Sequence, residues 1–274
     1  MGTGAIVNGQ AELADGLEIE NYLDNPVLRL RKGEDVRDRR QTWIRQVIIH
    51  TTKGIPGGGN KTEQDIRPGF GPAVGAGERC SRWWSKSPES AGAHLVVDHD
   101  GRIFCCCDLL REAAQHARHA NQTSIGIEIY QGADAELYEG QLDVTVALVD
   151  WLTRRFGIQR QIPHRYVGPS HRLCADDQIG RVVGVLGHRD LATNRGRGDP
   201  GNAIMNRLGL AGYEPFDFDQ SQELEEWRRR QRGMGLTADG VPGPTTITAL
   251  RKLGKPHGMW RLRPGDVKGP RLVT

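Results

Sequence analysis

Short apolar runs separated by glycine-rich stretches set the rhythm of this chain. "RQVIIHTT" is continuous and β-branched, which predicts a buried strand with His50 at its C-terminal end. "AHLVVDHDGRIFCCC" predicts a hairpin, because two β-rich runs flank an Asp-Gly turn. "TSIGIEIYQG" alternates. Ile125, Ile127 and Ile129 fall on one face, and Ser124, Gly126 and Glu128 on the other. "EGQLDVTVALVDWLTRRFGI" predicts a helix with Leu142, Val146, Val149 and Leu152 as its apolar stripe, closed by Gly157. "GRVVGVLGH" predicts one more strand, ending at His188. Between the first strand and the hairpin, the Gly/Pro density of "KGIPGGGNKTEQDIRPGFGPAVGAG" predicts a long loop.

Strands mixed with helices give an α/β class for residues 41–212. The expectation is a single mixed central sheet flanked by helices, with the chemistry at strand ends. Residues 1–40 are polar and charge-rich at their end, and predict an extension with a short strand or helix at most. After a break at "GYEPFDFDQS", residues 219–255 predict a small helical module, followed by a tail over 256–274.

Composition adds limits. The chain of 274 residues can bury a proper core without staples. Its 37 basic and 34 acidic residues leave a formal charge of +3, too small an excess to argue for nucleic acid. Cys80, Cys105, Cys106, Cys107 and Cys174 are odd in number and have no CxxC spacing. Three consecutive cysteines in a strand point to alternating faces, which predicts packing rather than a disulfide framework or a metal site. No apolar run approaches the ~20 residues of a membrane span. The N-terminus lacks a basic segment followed by an apolar one, so no Sec signal is expected.

Candidate chemistry gathers at two strand ends. His50 and His188 each close an apolar run, and Asp199 lies at the far end of the loop "RDLATNRGRGDPG". Strand ends of α/β sheets are where ligand sites form. Two imidazoles and a carboxylate are a legitimate open zinc set, with a fourth place left for water. Asp199-Pro200 is equally a good helix start, with Asp as N-cap and Pro at the first helical position. Spacing alone favours the cap over the ligand.

The pieces "VIIHTT", "AGAHLVVDHDGRIF", "QHARHANQTSIGIEI" and "VVGVLGHRDLATNRGRGDPG", in that order over residues 44–205, resemble the N-acetylmuramoyl-L-alanine amidase type 2 family. The resemblance implies a zinc amidase that cleaves between N-acetylmuramic acid and the L-alanine of the peptidoglycan stem peptide. It implies His50, His188 and Asp199 as metal ligands and Glu128 as the catalytic glutamate. Arg197 stands where many catalytic relatives carry a lysine two residues before the last ligand. A guanidinium there could stabilise a developing oxyanion. His116 and Asn121 match positions along the substrate cleft, and His94 matches the histidine of the "AH" strand, in a structural or cleft-lining role.

"LEEWRRRQRGMGLTADGVPGPTTITALRKL" is similar to helical peptidoglycan-binding domains of wall hydrolases, carried by Gln231 and "DGVPGPTT". The combination implies a phage or prophage endolysin, made in the cytoplasm and released by lysis or specialised export. The alternative is a non-catalytic muropeptide-binding protein on the same fold. Loss of the third metal ligand would be its mark, and Asp199 is present.

Overall fold

A computed structural model describes residues 4–40, 43–52, 67–131, 137–163, 182–191, 199–216, 228, 231–237 and 249. In chain order its strands and helices are β1 (Ala5–Val7), β2 (Gln10–Glu12), β3 (Ile19–Asn21), β4 (Val36–Asp38), β5 (Gln46–Thr51), α1 (Ala76–Lys86), β6 (Leu95–Val97) and β7 (Ile103–Cys105). There follow β8 (Glu112–Ala114), β9 (Ser124–Ile129), α2 (Glu139–Phe156), β10 (Gln161–Pro163), β11 (Gly184–Gly187), α3 (Asn202–Leu210) and β12 (Glu214–Phe216).

Among the described residues, six strands form the central sheet in the order β11-β5-β9-β6-β7-β3. The run β11, β5, β9, β6 is parallel, β7 returns antiparallel to β6, and β3 lies parallel to β7. This is the mixed central sheet expected for the α/β class. The β6–β7 hairpin turns at Asp98–Gly101, where Gly101 takes φ +84°, a conformation that favours glycine.

Alternation along the strands divides the core into two layers. Val47, Ile49, Ile125, Ile127, Ile129, Leu95, Val97 and Val185 face α2 and α3, whose Leu148, Val149, Leu152, Ile204 and Met205 cover them. The opposite face carries Val96, Phe104 and Cys106 beneath Cys80 and Trp84 of α1. Towards β5 and β11 the same face carries Ile48 and Leu186 beneath Ala117 and Ala120. Both layers are closed over the middle of the sheet. α2 ends as its sequence predicts, with Gly157 left-handed at φ +66°. Its buried stripe is turned slightly from the predicted one. Thr145 and Leu148 are buried, whereas Val146 lies at the margin.

Two expectations are corrected. Residues 4–40 are not a loosely structured extension: they hold four short strands, and β3 completes the sheet beside β7. Ala5, Ile6 and Val7 are buried with Leu109, and Asp108 accepts the amides of Asn8 and Gly9. The predicted loop also ends earlier than expected, because α1 begins at Ala76. Cys80, Cys105, Cys106 and Cys107 are buried free thiols, as strand and helix packing predicts, whereas Cys174 lies outside the described residues. Among the described residues no helix is long and apolar enough to cross a membrane. Most of the predicted 219–255 module and the 256–274 tail lie outside the described residues. Of the module, residues 231–233 are helical and Gln231 is buried.

Candidate metal centre

β5 and β11 run side by side and parallel, with Ile49 opposite Gly187. Each strand delivers one histidine at its C-terminal end: His50 within β5, and His188 in the 3₁₀ turn that follows β11. Their rings meet edge to face, with centroids 4.5 Å apart.

Asp199 is folded back onto this strand end. Arg189 N–H donates to the Asp199 carbonyl (2.7 Å), and Thr51 N–H reaches its Oδ1 (3.3 Å). The return needs a glycine. A Cβ on Gly187 would stand 2.6 Å from Pro200 Cδ, so only a residue without one lets the segment lie so close to β11. The helix-cap reading of Asp199 is overturned here. α3 starts at Asn202 with Gly201 as N-cap and no side-chain cap hydrogen bond.

The three side chains converge. One ligand atom from each of His50, His188 and Asp199 lies within 4.8 Å of the other two, the one such trio among the described residues. All three are buried, at 4%, 6% and 4% exposure. Asp199 Oδ2 is 3.3 Å from His188 Nδ1, and Asp199 Oδ1 is 3.8 Å from His50 Nδ1. His188 Nδ1 makes no hydrogen bond among the described residues. A buried nitrogen that approaches a carboxylate without bonding to it is aimed at something between them. In a tetrahedral zinc site with bonds of about 2.0–2.1 Å, neighbouring ligand atoms stand about 3.3 Å apart, close to these separations. The donor set therefore fits a metal ion.

Glu128 stands directly opposite His50 on the neighbouring parallel strand, so both side chains leave the same face of the sheet. It is the only residue of β9 with partial exposure. Cys80 of α1 is a buried thiol. Its thiol pKa is pushed well up, first by burial and then by the Glu128 charge.

Three further predicted site residues form a layer behind the metal ligands. His116 is half-buried: its Nδ1 is 2.9 Å from His50 Nε2, and its Nε2 is 3.0 Å from Ser124 Oγ. Burial, then the neighbouring His94, pushes the His116 pKa well below the ordinary histidine value. Asn121 is buried, accepts the amides of His116 (3.1 Å) and Ala117 (2.6 Å), and donates to Gln115. Between them Arg118 turns the chain with φ +46°. His94 is fully buried, accepts the Gly126 amide at Nδ1 (2.9 Å), and is held neutral chiefly by burial. The polar atoms of His94 and Asn121 are engaged inside the protein. Arg197 lies outside the described residues.

Sequence reading missed Ser124 and Gly126 as parts of this layer. A Cβ on Gly126 would stand 2.6 Å from the His116 ring, so the glycine of "SIGIEI" gives that ring its bed. The signal was there: a glycine inside a strand marks a close approach.

The sequence pattern of the N-acetylmuramoyl-L-alanine amidase family matches residues 39–202. A search of curated proteins finds no match. Among solved structures, the chain is similar to the endolysin N-acetylmuramoyl-L-alanine amidase LysCS from Clostridium intestinale, at 13% identity and TM-score 0.42, over 72% of this chain and 99% of that one. It is also similar to wild-type Drosophila PGRP-LB, at 16% identity and TM-score 0.44, over 74% and 99%. A mutant endolysin from Bacillus subtilis matches at 17% identity and TM-score 0.41, over 70% and 99%.

Proposed function

The chain belongs to the N-acetylmuramoyl-L-alanine amidase family, and from that premise we propose that it is a zinc hydrolase of peptidoglycan. The bond cleaved joins the lactyl carbonyl of N-acetylmuramic acid to the amine of L-alanine. The observation that carries this reading is the convergence of His50, His188 and Asp199 at the ends of two parallel strands. These three side chains would hold the metal. Zinc in such a site supplies Lewis acidity, making water a nucleophile near neutral pH and polarising the scissile carbonyl.

The protein's own groups do the rest. Glu128, beside His50 and partly exposed, takes a proton from the attacking water. The water oxygen bonds to the carbonyl carbon and the C–N bond breaks. Glu128 returns the proton to the departing nitrogen, and the second water proton passes from the new carboxylic acid to the amine, leaving a lactyl carboxylate and an L-alanine ammonium group. Arg197, by its place in the sequence, stabilises the oxyanion. The 219–255 segment tethers the enzyme to the wall and raises local substrate concentration. The biological setting is an endolysin, made in the cytoplasm and released by lysis or specialised export.

The test is incubation of purified protein with peptidoglycan, followed by mass spectrometry of the new ends. Free L-alanine amines, abolished by chelator and restored by Zn²⁺, are the expected result. Binding of muropeptide with no cleavage and no bound zinc would overturn the enzyme and leave a recognition protein.

A further inference from the structure

The polar chain behind His50 has a direction, and one group sets it. Ser124 Oγ lies 2.7 Å from the Ala120 carbonyl and 3.0 Å from His116 Nε2. A carbonyl oxygen can only accept, so the one hydroxyl proton of Ser124 goes to Ala120. The serine oxygen is then left to accept, and His116 must carry its proton on Nε2. A neutral imidazole has one N–H, so His116 Nδ1 is an acceptor. It faces His50 Nε2 at 2.9 Å, which must therefore be the donor. The His50 proton is placed on Nε2, and the lone pair of Nδ1 points towards His188 and Asp199.

The opposite order is also a closed chain, with Ser124 donating to His116 and His116 donating to His50. It would put the proton of His50 on Nδ1, where it would block the metal, and would leave the Ala120 contact without its donor. We propose that Ser124 and His116 are positioning residues that fix the tautomer of His50, with the Ala120 carbonyl as the anchor, so that Nδ1 is presented to the metal. This rests on the zinc reading above. Gly126 and Asn121 serve the same end. One gives the His116 ring room on the strand, and the other pins the backbone amides of His116 and Ala117.

Metal-bound histidines whose other nitrogen loses its partner typically lose 10–100-fold in metal affinity. The experiment titrates Zn²⁺ into the metal-stripped full chain against a chromophoric chelator. Ser124→Ala and His116→Phe are expected to bind zinc roughly 10–100-fold more weakly than wild type. His116→Asn, whose carbonyl oxygen can take the His50 proton, recovers part of that loss. A purely space-filling role would instead favour Phe over Asn. If His116→Phe does not fold, ¹⁵N NMR of the zinc-loaded wild type carries the test, with the His116 proton expected on Nε2. Wild-type affinity in both Ser124→Ala and His116→Phe, or a His116 proton on Nδ1, overturns the relay alone. A wild-type chain that takes up no zinc overturns the metal reading itself.

Discussion

At Asp199 a single atom separates two chemistries. Asn has nearly the shape of Asp and differs by a charge, and the structure shows that no helix cap depends on this position. Asp199→Asn is therefore expected to fold, because it keeps the shape of the side chain and replaces no helix cap. What it loses is the response to zinc. Wild type at a hundredfold excess over Kd gains about 2.7 kcal/mol by mass action, whereas the variant gains almost nothing and is inactive. Differential scanning fluorimetry with and without Zn²⁺ reads this directly, and a wild-type zinc response in the variant would remove Asp199 from the ligand set. His94 makes a second point at this scale. Its pKa is depressed chiefly by burial, so the folded protein keeps it neutral where the unfolded chain, with the ordinary value of 6.5, takes up a proton. The unfolded state then binds more protons below that value, and the His94 contribution to stability is lost as pH falls through it. Urea midpoints are expected to drop between pH 7.5 and 5.5, with a smaller drop in His94→Gln. An equal drop in both would assign the effect elsewhere.

Elements place these residues, and here legibility in the sequence was uneven. β5, β9, β11 and α2 were readable because a β-branched run, a clean alternation and a capped amphipathic stripe each obey one local rule. His50, His188 and Glu128 followed, since their place on a strand end or face is local information. The fate of Asp199 was not local. Choosing cap or ligand required knowing that Gly187 lets Pro200 lie against β11. α1 was hidden by its own glycines. Gly75 does adopt a left-handed φ of +65°, but Gly77 is helical, and a Cβ there would stand 2.3 Å from the Phe104 ring. Its glycine reflects packing against a strand far along the chain, which composition reads as loop. The spacing of Ala76, Cys80 and Trp84 was the available sign. Gly187→Ala tests the strand-end account. The methyl must push the Asp199 segment outward, costing about 1–3 kcal/mol as overpacking does. Zinc affinity should fall more steeply than stability, and an unchanged affinity would show that the approach of Pro200 is incidental.

On the scale of the whole molecule, the N-terminal residues are part of one fold although the family match begins only at residue 39. Ile6 and Ile19 lie in the same buried layer as β7 and α2. Ile19→Ala is expected to cost about 2–5 kcal/mol in urea unfolding, as for any core isoleucine cut to alanine. A separable extension would give no change. The central sheet has another consequence, in the time domain. Its neighbouring parallel strands gather ligands that are far apart in the chain, because parallel pairing needs long crossovers. On a translating ribosome, roughly 150 residues pass between the synthesis of His50 and that of Asp199, which takes roughly 7–30 s at ordinary elongation rates. Throughout that interval the nascent chain holds histidines without the carboxylate that completes the set. No abortive product ending before Asp199 can assemble the ligand trio, so a truncated message would yield protein without the metal centre.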